Sequence, residues 1–443
     1  MPISVAIVGS GPAGFYTADA LTGSGDDVSI DFIDRLPTPY GLIRGGVAPD
    51  HQTTKNVQKK YEKTALKEQV RFFGNVEVGR DVTLAELRSM YDAVVLAVGA
   101  PRDRALGIPG EDKKGVFGSA DYVGWYNGHP DFRNLNPDLN VAAAVVIGVG
   151  NVAIDVARLL SRSKEELAET DLPDYAERAI VNSPVKEIWI CGRRGPIDAK
   201  FTNVELREMG KLAESVPQVK AEQLPASVGE LPERDKRLKE RNLETLREFC
   251  LRKPNEKPKR VHFEFYAAPV EILGGDRVDG VRFERTRVDG GRAVGTGEFF
   301  NIPCGLVIAA IGYRSDPVEG VPFDHKQGIV TNDDGRVADG LYAVGWIKRG
   351  PTGVISSNRP DGVTVAEHIH NDFAGGTVGS KGDSKPGRKA LEKLLSERKA
   401  RIVSFADWKK LEAAESEAGG GKRPRKKFTT VRDMLDYLDR NRN

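Results

Sequence analysis

Residues 3–14, ISVAIVGSGPAG, decide the fold. A short and unbroken apolar run ends at Val8 and passes at once into a glycine-rich turn, which a helix-compatible stretch follows. A strand, a glycine turn and a helix in this order open a βαβ unit. The next apolar run, VSIDFI, leads to Asp34, about 20 residues after Gly14, where such a unit carries an acidic residue. The sequence therefore predicts an α/β chain that begins with a Rossmann-like unit.

The glycine turn has the GxGxxG spacing, with Gly9, Gly11 and Gly14 at its three positions. The first glycine of such a turn permits the bend, the second lets the backbone approach a pyrophosphate, and the third lets the helix pack closely on the strand. The helix that begins at Pro12 and Ala13 points its free amides at the phosphates, and the later acid accepts hydrogen bonds from ribose hydroxyls. A purely structural turn is the alternative, but all these parts in register favour a dinucleotide site.

A second unit of the same kind begins at Val141. The apolar run VAAAVVI leads into GVGNVA, in which Gly148, Gly150 and Ala153 give the GxGxxA variant of the turn. The stretch after it has apolar residues on one side of a helix. Two such turns in one chain predict two bound dinucleotides.

In the second unit a pair of arginines replaces the expected acid. The strand-like run EIWIC is followed by GRRGP, which places Arg193 and Arg194 at the strand end. Guanidinium groups there would bind the 2′-phosphate of NADP in a forked geometry. We therefore expect NADPH rather than NADH. The alternative is a solvated surface pair or a contact with the C-terminus of a helix.

Composition excludes several classes of protein. At 443 residues the chain is too long for one hydrophobic core, and 66 Lys and Arg nearly balance 64 Asp and Glu, so we expect no nucleic-acid or membrane partner. We see no leader pattern and no apolar run of bilayer length, and so we expect a cytoplasmic protein. Cys191, Cys250 and Cys304 stand far apart, which argues against a reactive dithiol, an iron–sulfur segment or any metal site.

Two further segments complete a recognisable pattern: YGLIRGGVAPDH at residues 40–51 and GWIKRGPTGVI at residues 345–355. Together with the two glycine turns they resemble the adrenodoxin reductase family of ferredoxin-NADP reductases, which has bacterial NADPH-ferredoxin reductases among its members. The likeness spans residues 1 to about 370 and fades after that. It is specific, because the common flavin disulfide reductases have a Gly-Asp pair where this chain has Gly345 and Trp346.

The resemblance implies a glutathione reductase-like flavoprotein architecture with two Rossmann-like dinucleotide-binding domains. The FAD-binding domain is expected to be discontinuous and to comprise residues 1–105 and 325–443, with a C-terminal tail. The NADPH-binding domain, residues 106–324, would be inserted between these two parts.

The resemblance also implies site residues. Those expected at FAD, besides the first turn and its acid, are Gly41, Leu42, Val98, Gly99, Trp346, Gly353, Val354 and Ile355. Asn151 and Val152 are expected beside the pyrophosphate of NADPH, and Glu205 near the same cofactor. His51 and Glu208 are expected near the flavin and the nicotinamide as a catalytic pair, although a histidine after Pro-Asp is also typical of a turn or a helix cap.

The implied activity is hydride transfer from NADPH to FAD, followed by transfer of single electrons to a ferredoxin-type iron–sulfur protein. The alternatives are an NADPH diaphorase, a flavin-dependent monooxygenase and, in another class, a regulatory module that binds NADPH. Disulfide reductases and the flavin subunit of glutamate synthase also combine these cofactors, but they need the dithiol or the cysteine-rich segment that this chain lacks.

An acidic electron carrier would need a basic docking face, and the chain is expected to work as a monomer. Three clusters are candidates, each with a solvated surface as the alternative: Lys55, Lys59, Lys63 and Lys67; Arg234, Arg237 and Arg241; and KRPRKK at residues 422–427. Residues 374–387 and 416–427 are rich in Gly, Ser and Lys and are expected to be flexible or exposed joints. The stretch TTVRDMLDYLDR after them is expected to be a short amphipathic helix.

Overall fold

The computed structural model describes residues 2–25, 27–378 and 385–442. The chain divides into two compact units, of which the first comprises residues 1–102 and 313–443 and the second residues 103–312. The first unit is therefore made of two separate stretches. The return to it comes at Tyr313, earlier than the residue 325 expected from the sequence, because Val321 and Val330 already pack in a core of the first unit.

The described residues form nineteen strands and sixteen α-helices. The strands are β1 Ile3–Val8, β2 Val28–Asp34, β3 Val70–Gly74, β4 Ala93–Leu96, β5 Arg102–Asp103, β6 Val116–Gly118, β7 Ala143–Ile147, β8 Glu187–Cys191, β9 Ser215–Val219, β10 Lys259–Glu264, β11 Ala267–Leu273, β12 Gly280–Asp289, β13 Arg292–Pro303, β14 Leu306–Ala309, β15 Tyr313–Arg314, β16 Phe323–Asp324, β17 Ile329–Val330, β18 Arg336–Ala338 and β19 Leu341–Ala343. The helices are α1 Pro12–Gly23, α2 Leu42–Gly45, α3 Gln52–Lys55, α4 Gln58–Ala65, α5 Leu84–Met90, α6 Ser119–Asn127, α7 Asn151–Ser161, α8 Lys164–Ala168, α9 Asp174–Val181, α10 Asn203–Met209, α11 Glu233–Cys250, α12 Trp346–Arg349, α13 Asn358–Ala374, α14 Arg388–Glu397, α15 Phe405–Ala418 and α16 Val431–Arg440.

The first unit is built on a six-stranded sheet in the order β18-β19-β4-β1-β2-β3. The strands β19, β4, β1, β2 and β3 are parallel, and β18 is antiparallel at the edge. All six residues of β1 are buried, which is why its sequence is a continuous apolar run rather than an alternating one. The fold predicted from the opening residues is confirmed.

Helix α13 lies tightly against α1, the helix of the first glycine turn. A Cβ on Gly362 would come within 2.7 Å of the backbone nitrogen of Thr17. The returning stretch of the chain therefore supports the dinucleotide turn directly from α13.

The segment after residue 385 is folded onto the first unit. Leu391 and Leu395 of α14, Trp408 and Leu411 of α15, and Met434 of α16 are all buried in its cores. Helix α16 confirms the terminal amphipathic helix.

The two expected joints have different outcomes. Residues 379–384 of the first lie outside the described residues. The second joint is mostly exposed, as expected, although its first residues continue α15 and Lys427 at its end is buried. Arg425 in this stretch lies near Glu412 and Glu415.

The second unit has its own six-stranded parallel sheet, in the order β6-β14-β7-β8-β10-β9. Helix α7 packs on one face of this sheet, where its Ile154 and Leu159 are buried in the same core as Val146 of β7. The expected insertion between residues 161 and 184 forms helices α8 and α9, which bury Leu167 and Ile180 in the same core.

The later strands do not all join this sheet. The run VHFEFYAAPVEIL divides at Tyr266, whose φ of 55° lies in the left-handed region, and β11 leaves to form a separate antiparallel sheet with β12 and β13. No α-helix among the described residues combines the length and the apolar character that a membrane span requires.

Candidate functional site: two dinucleotide turns

The first glycine turn joins β1 to α1 and leaves its backbone accessible. Gly9 has a φ of 102°, and a Cβ there would lie 2.6 Å from the carbonyl oxygen of Ala97. Gly14 is equally constrained, because its Cβ would lie 2.4 Å from the carbonyl oxygen of Gly9. Gly11, at the N-cap of α1, has no protein atom within 4 Å of an added Cβ. The second glycine therefore faces open space at the positive end of a helix, as a pyrophosphate site requires.

Asp34 lies at the end of β2 and turns its carboxylate toward the glycine turn. Oδ2 accepts hydrogen bonds from the backbone nitrogen of Ser10, at 2.9 Å, and from its hydroxyl, at 2.5 Å. Oδ1 accepts from the backbone nitrogen of Leu36 at 3.0 Å. Asp34 therefore braces the turn in addition to the ribose contact expected of it.

The predicted segment around Gly41 rests on the same turn. The backbone nitrogen of Tyr40 donates to the carbonyl of Ser10 at 2.9 Å. Gly41 has a φ of 49°, and an added Cβ would lie 3.0 Å from the Cα of Gly11. The side chain of Leu42 is 45% exposed. This segment forms one wall beside the turn.

Val98 and Gly99 follow β4 at the same edge of the sheet. Val98 is 40% exposed, and Gly99 has a φ of 72° with open space where a Cβ would be. The Ser315 hydroxyl donates to the Gly99 carbonyl at 2.8 Å and fixes this loop. An apolar side chain is thus presented at the carboxyl end of the sheet, where ligands of doubly wound sheets bind.

The segment 345–355 approaches the first turn from the returning stretch. A Cβ on Gly345 would lie 2.6 Å from the Cβ of Ala13, so only glycine permits this approach. Trp346 begins α12, and its indole donates to the carbonyl of Thr352 at 3.3 Å. Gly353 has a φ of 84°.

Val354 is 56% exposed, whereas Ile355 packs against a core of the unit. Arg349 was missed by sequence reasoning. Its side chain donates to the carbonyl of Thr352, to Oδ1 of Asn358 at 3.0 Å and to Oδ2 of Asp361 at 2.5 Å. It therefore holds the loop that carries Gly353, and its position in GWIKRGPTGVI was the available signal.

The residues of the first unit fit FAD. An open helix N-terminus at Gly11 suits the pyrophosphate, and Asp34 at the strand end suits a ribose. The exposed apolar side chains of Leu42, Val98 and Val354 suit a large planar ring system. These three are the most exposed large hydrophobic side chains among the described residues of the first glycine turn and of segments 40–45, 98–99 and 345–355.

The second glycine turn repeats this geometry between β7 and α7. Gly148 has a φ of 139°, and a Cβ there would lie 2.1 Å from the Ala310 carbonyl oxygen. Gly150, the N-cap of α7, has no protein atom within 4 Å of an added Cβ. Oδ1 of Asn151 accepts from the backbone nitrogen of Thr202 at 2.8 Å, which joins the turn to the segment before α10. Val152 lies beside it in the first turn of α7.

Ala153 is fully buried, where the third residue of such a turn packs helix on strand. The second unit therefore offers a second open helix N-terminus at a strand end, and this site fits another pyrophosphate.

The two arginines after β8 are not equivalent. Arg193 is exposed, and its side chain makes no ion pair within the described part of the chain. Arg194 is half-buried, pairs with Asp198 at 2.8 Å and donates to the Gly291 carbonyl at 3.3 Å. Arg193 is therefore free to bind an anion, whereas Arg194 is already engaged.

Glu205 and Glu208 lie on α10 and share one cation. The guanidinium of Arg158, fully buried on α7, is 3.0 Å from Glu205, 3.5 Å from Glu208 and 2.7 Å from Asp155. Arg158 was missed because nothing in a helical run of apolar residues indicates such pairing. It ties α10 to the helix of the second glycine turn.

His51 belongs to the first unit, where it is half-buried at the N-cap of α3. Its backbone nitrogen donates to the Ala48 carbonyl at 3.0 Å, and its carbonyl accepts from the nitrogen of Lys55 at 3.3 Å. His51 therefore occupies the N-cap position, but its side chain makes no capping hydrogen bond to α3. The catalytic pairing of His51 with Glu208 stays a prediction.

Cys191 and Cys304 are buried in the same hydrophobic cluster of the second unit, and Cys250 is half-buried. All three are free, and burial raises the pKa of Cys304 to about 12 and that of Cys191 well above its usual value. Both thiols are therefore protonated at neutral pH and unreactive.

The three basic clusters differ in the structure. Lys55 is buried, and the helix is interrupted between α3 and α4, so the lysine stripe is not one continuous face. In the cluster KRPRKK, Lys427 is buried and Arg425 lies 3.7 Å from Glu415, whereas Lys422 and Lys426 are exposed. Arg234 and Arg241 of α11 are exposed, and Arg237 pairs with Glu233 at 2.8 Å.

Known proteins are similar to this chain over most of its length. The family described as "Pyridine nucleotide-disulphide oxidoreductase" matches residues 3–183. NADPH:adrenodoxin oxidoreductase of Homo sapiens, a mitochondrial protein, is 44% identical over 98% of this chain and 91% of that protein. The corresponding protein of Arabidopsis thaliana is 41% identical over 98% of this chain and 95% of its own length.

A solved structure is similar over the whole chain. NADPH-ferredoxin reductase FprA of Mycobacterium tuberculosis is 40% identical over 98% of both chains. Its structure in complex with NADPH has a TM-score of 0.93 and 38% identity, and covers 99% of this chain and 100% of that one. The resemblance inferred from the sequence is confirmed, and the chain belongs to the family of NADPH:adrenodoxin oxidoreductases and NADPH-ferredoxin reductases.

Proposed function

We propose that the chain is a flavoprotein reductase, which binds FAD in the first unit and NADPH in the second and transfers a hydride from NADPH to FAD. Single electrons then go to a ferredoxin-type iron–sulfur protein. The observation that carries this proposal is the pair of turns in which Gly11 and Gly150 each face open space at the N-terminus of a helix. Membership of a family with NADPH-dependent reductases supports it.

Bound FAD would supply a two-electron acceptor that can release electrons one at a time. The protein binds the two cofactors and orients them. The amides at the starts of α1 and α7 hold the pyrophosphates, and Asp34 accepts from a ribose. Arg349 keeps the 350–354 loop in place, and the exposed apolar groups exclude water from a ring system.

Arg193 supports the preference for NADPH over NADH. Its guanidinium is exposed and has no carboxylate partner among the residues that the structure describes, so it is available for a 2′-phosphate. Phosphate binding gains most from an arginine that gives up no other ion pair. We propose that Arg193 recognises the 2′-phosphate and that Arg194, held by Asp198, mainly orders the loop.

We propose that the electron carrier binds the exposed face of α11. Arg234 and Arg241 lie on this face with Leu238, which is 49% exposed. Neither arginine forms an ion pair with another described residue, and two such charges around an apolar side chain suit an acidic partner with a small apolar contact.

His51 and Glu208 are proposed to act beside the flavin and the nicotinamide. Substitution of either by glutamine should shift the pH profile of flavin reduction. His325→Gln, at an exposed site, serves as the control. Unchanged profiles in both variants would remove this role.

We propose the FAD domain to be residues 1–102 with 313–443, and the NADPH domain residues 103–312, following the contact boundaries. We also propose a cytoplasmic monomer. Sedimentation of the holoprotein and fractionation of the source cells would test both statements, and a stable dimer or a membrane-bound or organellar pool would contradict them.

Anaerobic reduction of the purified protein tests the cofactor assignment. The protein should contain about one FAD per chain, and stoichiometric NADPH should bleach the flavin absorbance far faster than NADH. Protein that contains no flavin and takes none up would overturn the proposal and favour a regulatory NADPH-binding module. Rapid flavin reduction with oxygen as the only effective acceptor would favour a diaphorase or a monooxygenase.

A further inference from the structure

We propose that the segment after residue 385 positions residues 40–45, which form one wall of the proposed FAD site. Glu415 of α15 is a positioning residue for FAD in this arrangement. The C-terminal brace comprises Trp408, Glu415, Arg425, Lys427 and Phe428. It holds residues 40–45 against the first glycine turn. This inference rests on the proposed FAD site in the first unit.

Residues 40–45 have little support from their own sequence. Tyr40 has a φ of 83°, which is unfavourable for a residue with a side chain, and α2 contains only four residues. A helix this short is not stable by itself. The segment nevertheless reaches within hydrogen-bonding distance of the turn, through the Tyr40 nitrogen and the Ser10 carbonyl, 2.9 Å apart. Something outside the segment must hold it there.

Arg44 of α2 is the point of attachment. Its side chain is only 10% exposed and donates two hydrogen bonds to the Glu415 carboxylate, one of them at 2.8 Å. Its guanidinium also lies 5.1 Å from the ring centroid of Trp408. Such a forked pair fixes direction as well as distance.

The brace also holds Glu415 and the backbone of α2. Oε1 of Glu415, which is fully buried, accepts from the backbone nitrogen of Phe428 at 2.8 Å, and Arg425 lies 3.7 Å from Oε2. Nζ of Lys427 donates to the Arg44 carbonyl at 3.3 Å. Two basic residues of KRPRKK, Arg425 and Lys427, thus complete this contact.

Trp408 adds a second contact to the strained residue. Its ring meets that of Tyr40 edge-on, with the centroids 6.0 Å apart. The brace therefore contacts the segment at both ends, at Tyr40 and at Arg44, while Gly41 and Leu42 between them face the glycine turn and solvent. A shift of the brace would move this wall.

A buried ion pair is weak evidence for stability, because an apolar pair of similar volume often stabilises a protein as well or better. The forked pair of Arg44 and Glu415 instead fixes the position and orientation of α2. A structural role and a positioning role therefore predict different results when one partner, or both partners, are replaced.

The test measures the FAD dissociation constant, the visible circular dichroism of the bound flavin and the unfolding midpoint of the FAD-free protein. Glu415→Gln, which removes the charge at nearly constant shape, should weaken FAD binding at least about tenfold. Arg44→Lys, which keeps the charge and loses the fork, should also weaken it. Asp439→Asn, which removes an exposed ion pair with Arg401 in the same segment, is the control and should bind FAD normally.

The double variant Arg44→Met/Glu415→Leu separates the two roles and covers the case in which Glu415→Gln does not fold. It should recover the unfolding midpoint of the FAD-free protein while FAD binding stays weak and the flavin dichroism stays altered. Wild-type FAD affinity in this double variant or in Arg44→Lys would overturn the inference. If the wild-type protein itself binds no FAD, it is the proposed function that fails, and the two failures are thereby distinguished.

Discussion

At the scale of single residues, neighbouring side chains in each candidate site have different contacts and therefore different proposed roles. Asp34 was predicted from spacing alone, and the structure adds that it is hydrogen-bonded to Ser10. Arg193 and Arg194 are adjacent in sequence, but only the second has an acidic partner within the described chain. Sequence identifies such a pair but not how the two residues differ, because the partner of Arg194 is set by the conformation of the loop.

This difference predicts unequal effects on cofactor choice. Arg193→Gln should raise the KM for NADPH by about ten- to a hundredfold and leave the KM for NADH nearly unchanged, since only NADPH carries the 2′-phosphate. Arg194→Gln should have the smaller specific effect. Steady-state kinetics with both cofactors measure this, and equal effects on NADPH and NADH in the Arg193 variant would contradict the assignment.

Asp103 predicts a pH dependence of stability. Burial raises the pKa of its carboxyl to about 6, although hydrogen bonds from Ala120 and Ser119 at the start of α6 act in the other direction. Because the folded pKa exceeds the unfolded value of 3.8, the folded state binds the extra proton between these two values. The contribution of Asp103 to stability is therefore present at low pH and is lost as the pH rises through about 6.

The permanently neutral Asp103→Asn should not show this loss. Its unfolding free energy relative to the wild type should increase between about pH 4 and pH 6 and stay constant above that. Chemical denaturation at a series of pH values measures it. A difference that is independent of pH would show that Asp103 titrates normally.

At the scale of elements, the glycine turns could be predicted from the sequence, but the distant contacts that hold the neighbouring segments in place could not. Strand, turn and helix follow one another within residues 3–23, so local sequence is sufficient. Arg44 and Glu415 meet across 371 positions of sequence, and no local pattern reports such a contact. Residues 416–427 have the composition of a linker, and the hydrogen bond from Lys427 to the Arg44 carbonyl is equally remote in sequence.

The first turn predicts opposite outcomes for two neighbouring glycines. Gly11→Ala should cost less than about 1 kcal/mol of stability, because its Cβ meets no protein atom, but it should weaken FAD binding at least about tenfold by blocking the approach of the pyrophosphate. Gly14→Ala should destabilise the protein itself by about 1–3 kcal/mol, because its Cβ would meet the Gly9 carbonyl.

Denaturation of the FAD-free protein and FAD titration together make this comparison. The reverse pattern, with Gly11→Ala the less stable variant and normal in FAD affinity, would show that the turn is structural only. Gly150→Ala extends the comparison to the second unit, where NADPH binding should suffer while FAD content stays normal.

At the scale of the whole molecule, a nearly neutral chain is proposed to recognise a charged partner through one local face. Arg234→Glu/Arg241→Glu should lower the rate of electron transfer to an acidic carrier about tenfold at low salt, and the difference should shrink as salt is added. Turnover with a small neutral dye should not change. Arg292→Glu/Lys326→Glu makes the same change in net charge at other exposed sites and is the control. Equal losses in the two double variants would remove α11 as the docking face.

The discontinuous first unit was also expected from the resemblance, but its boundary was not. The strands that close it are short and irregular, and β16 and β17 contain two residues each, so the sequence has no strong signal of the return near Tyr313. The basic clusters show the same limit, because charge density in sequence did not distinguish exposed Arg234 from buried Lys427.

Electron transfer from NADPH to a ferredoxin is tested directly by the reduction of cytochrome c with the purified protein and NADPH, with and without a low-potential ferredoxin, and with NADH as the paired control. We expect a large gain on adding ferredoxin with NADPH and almost none with NADH. Good reduction of dyes or oxygen with no gain from any ferredoxin would contradict the electron-carrier role.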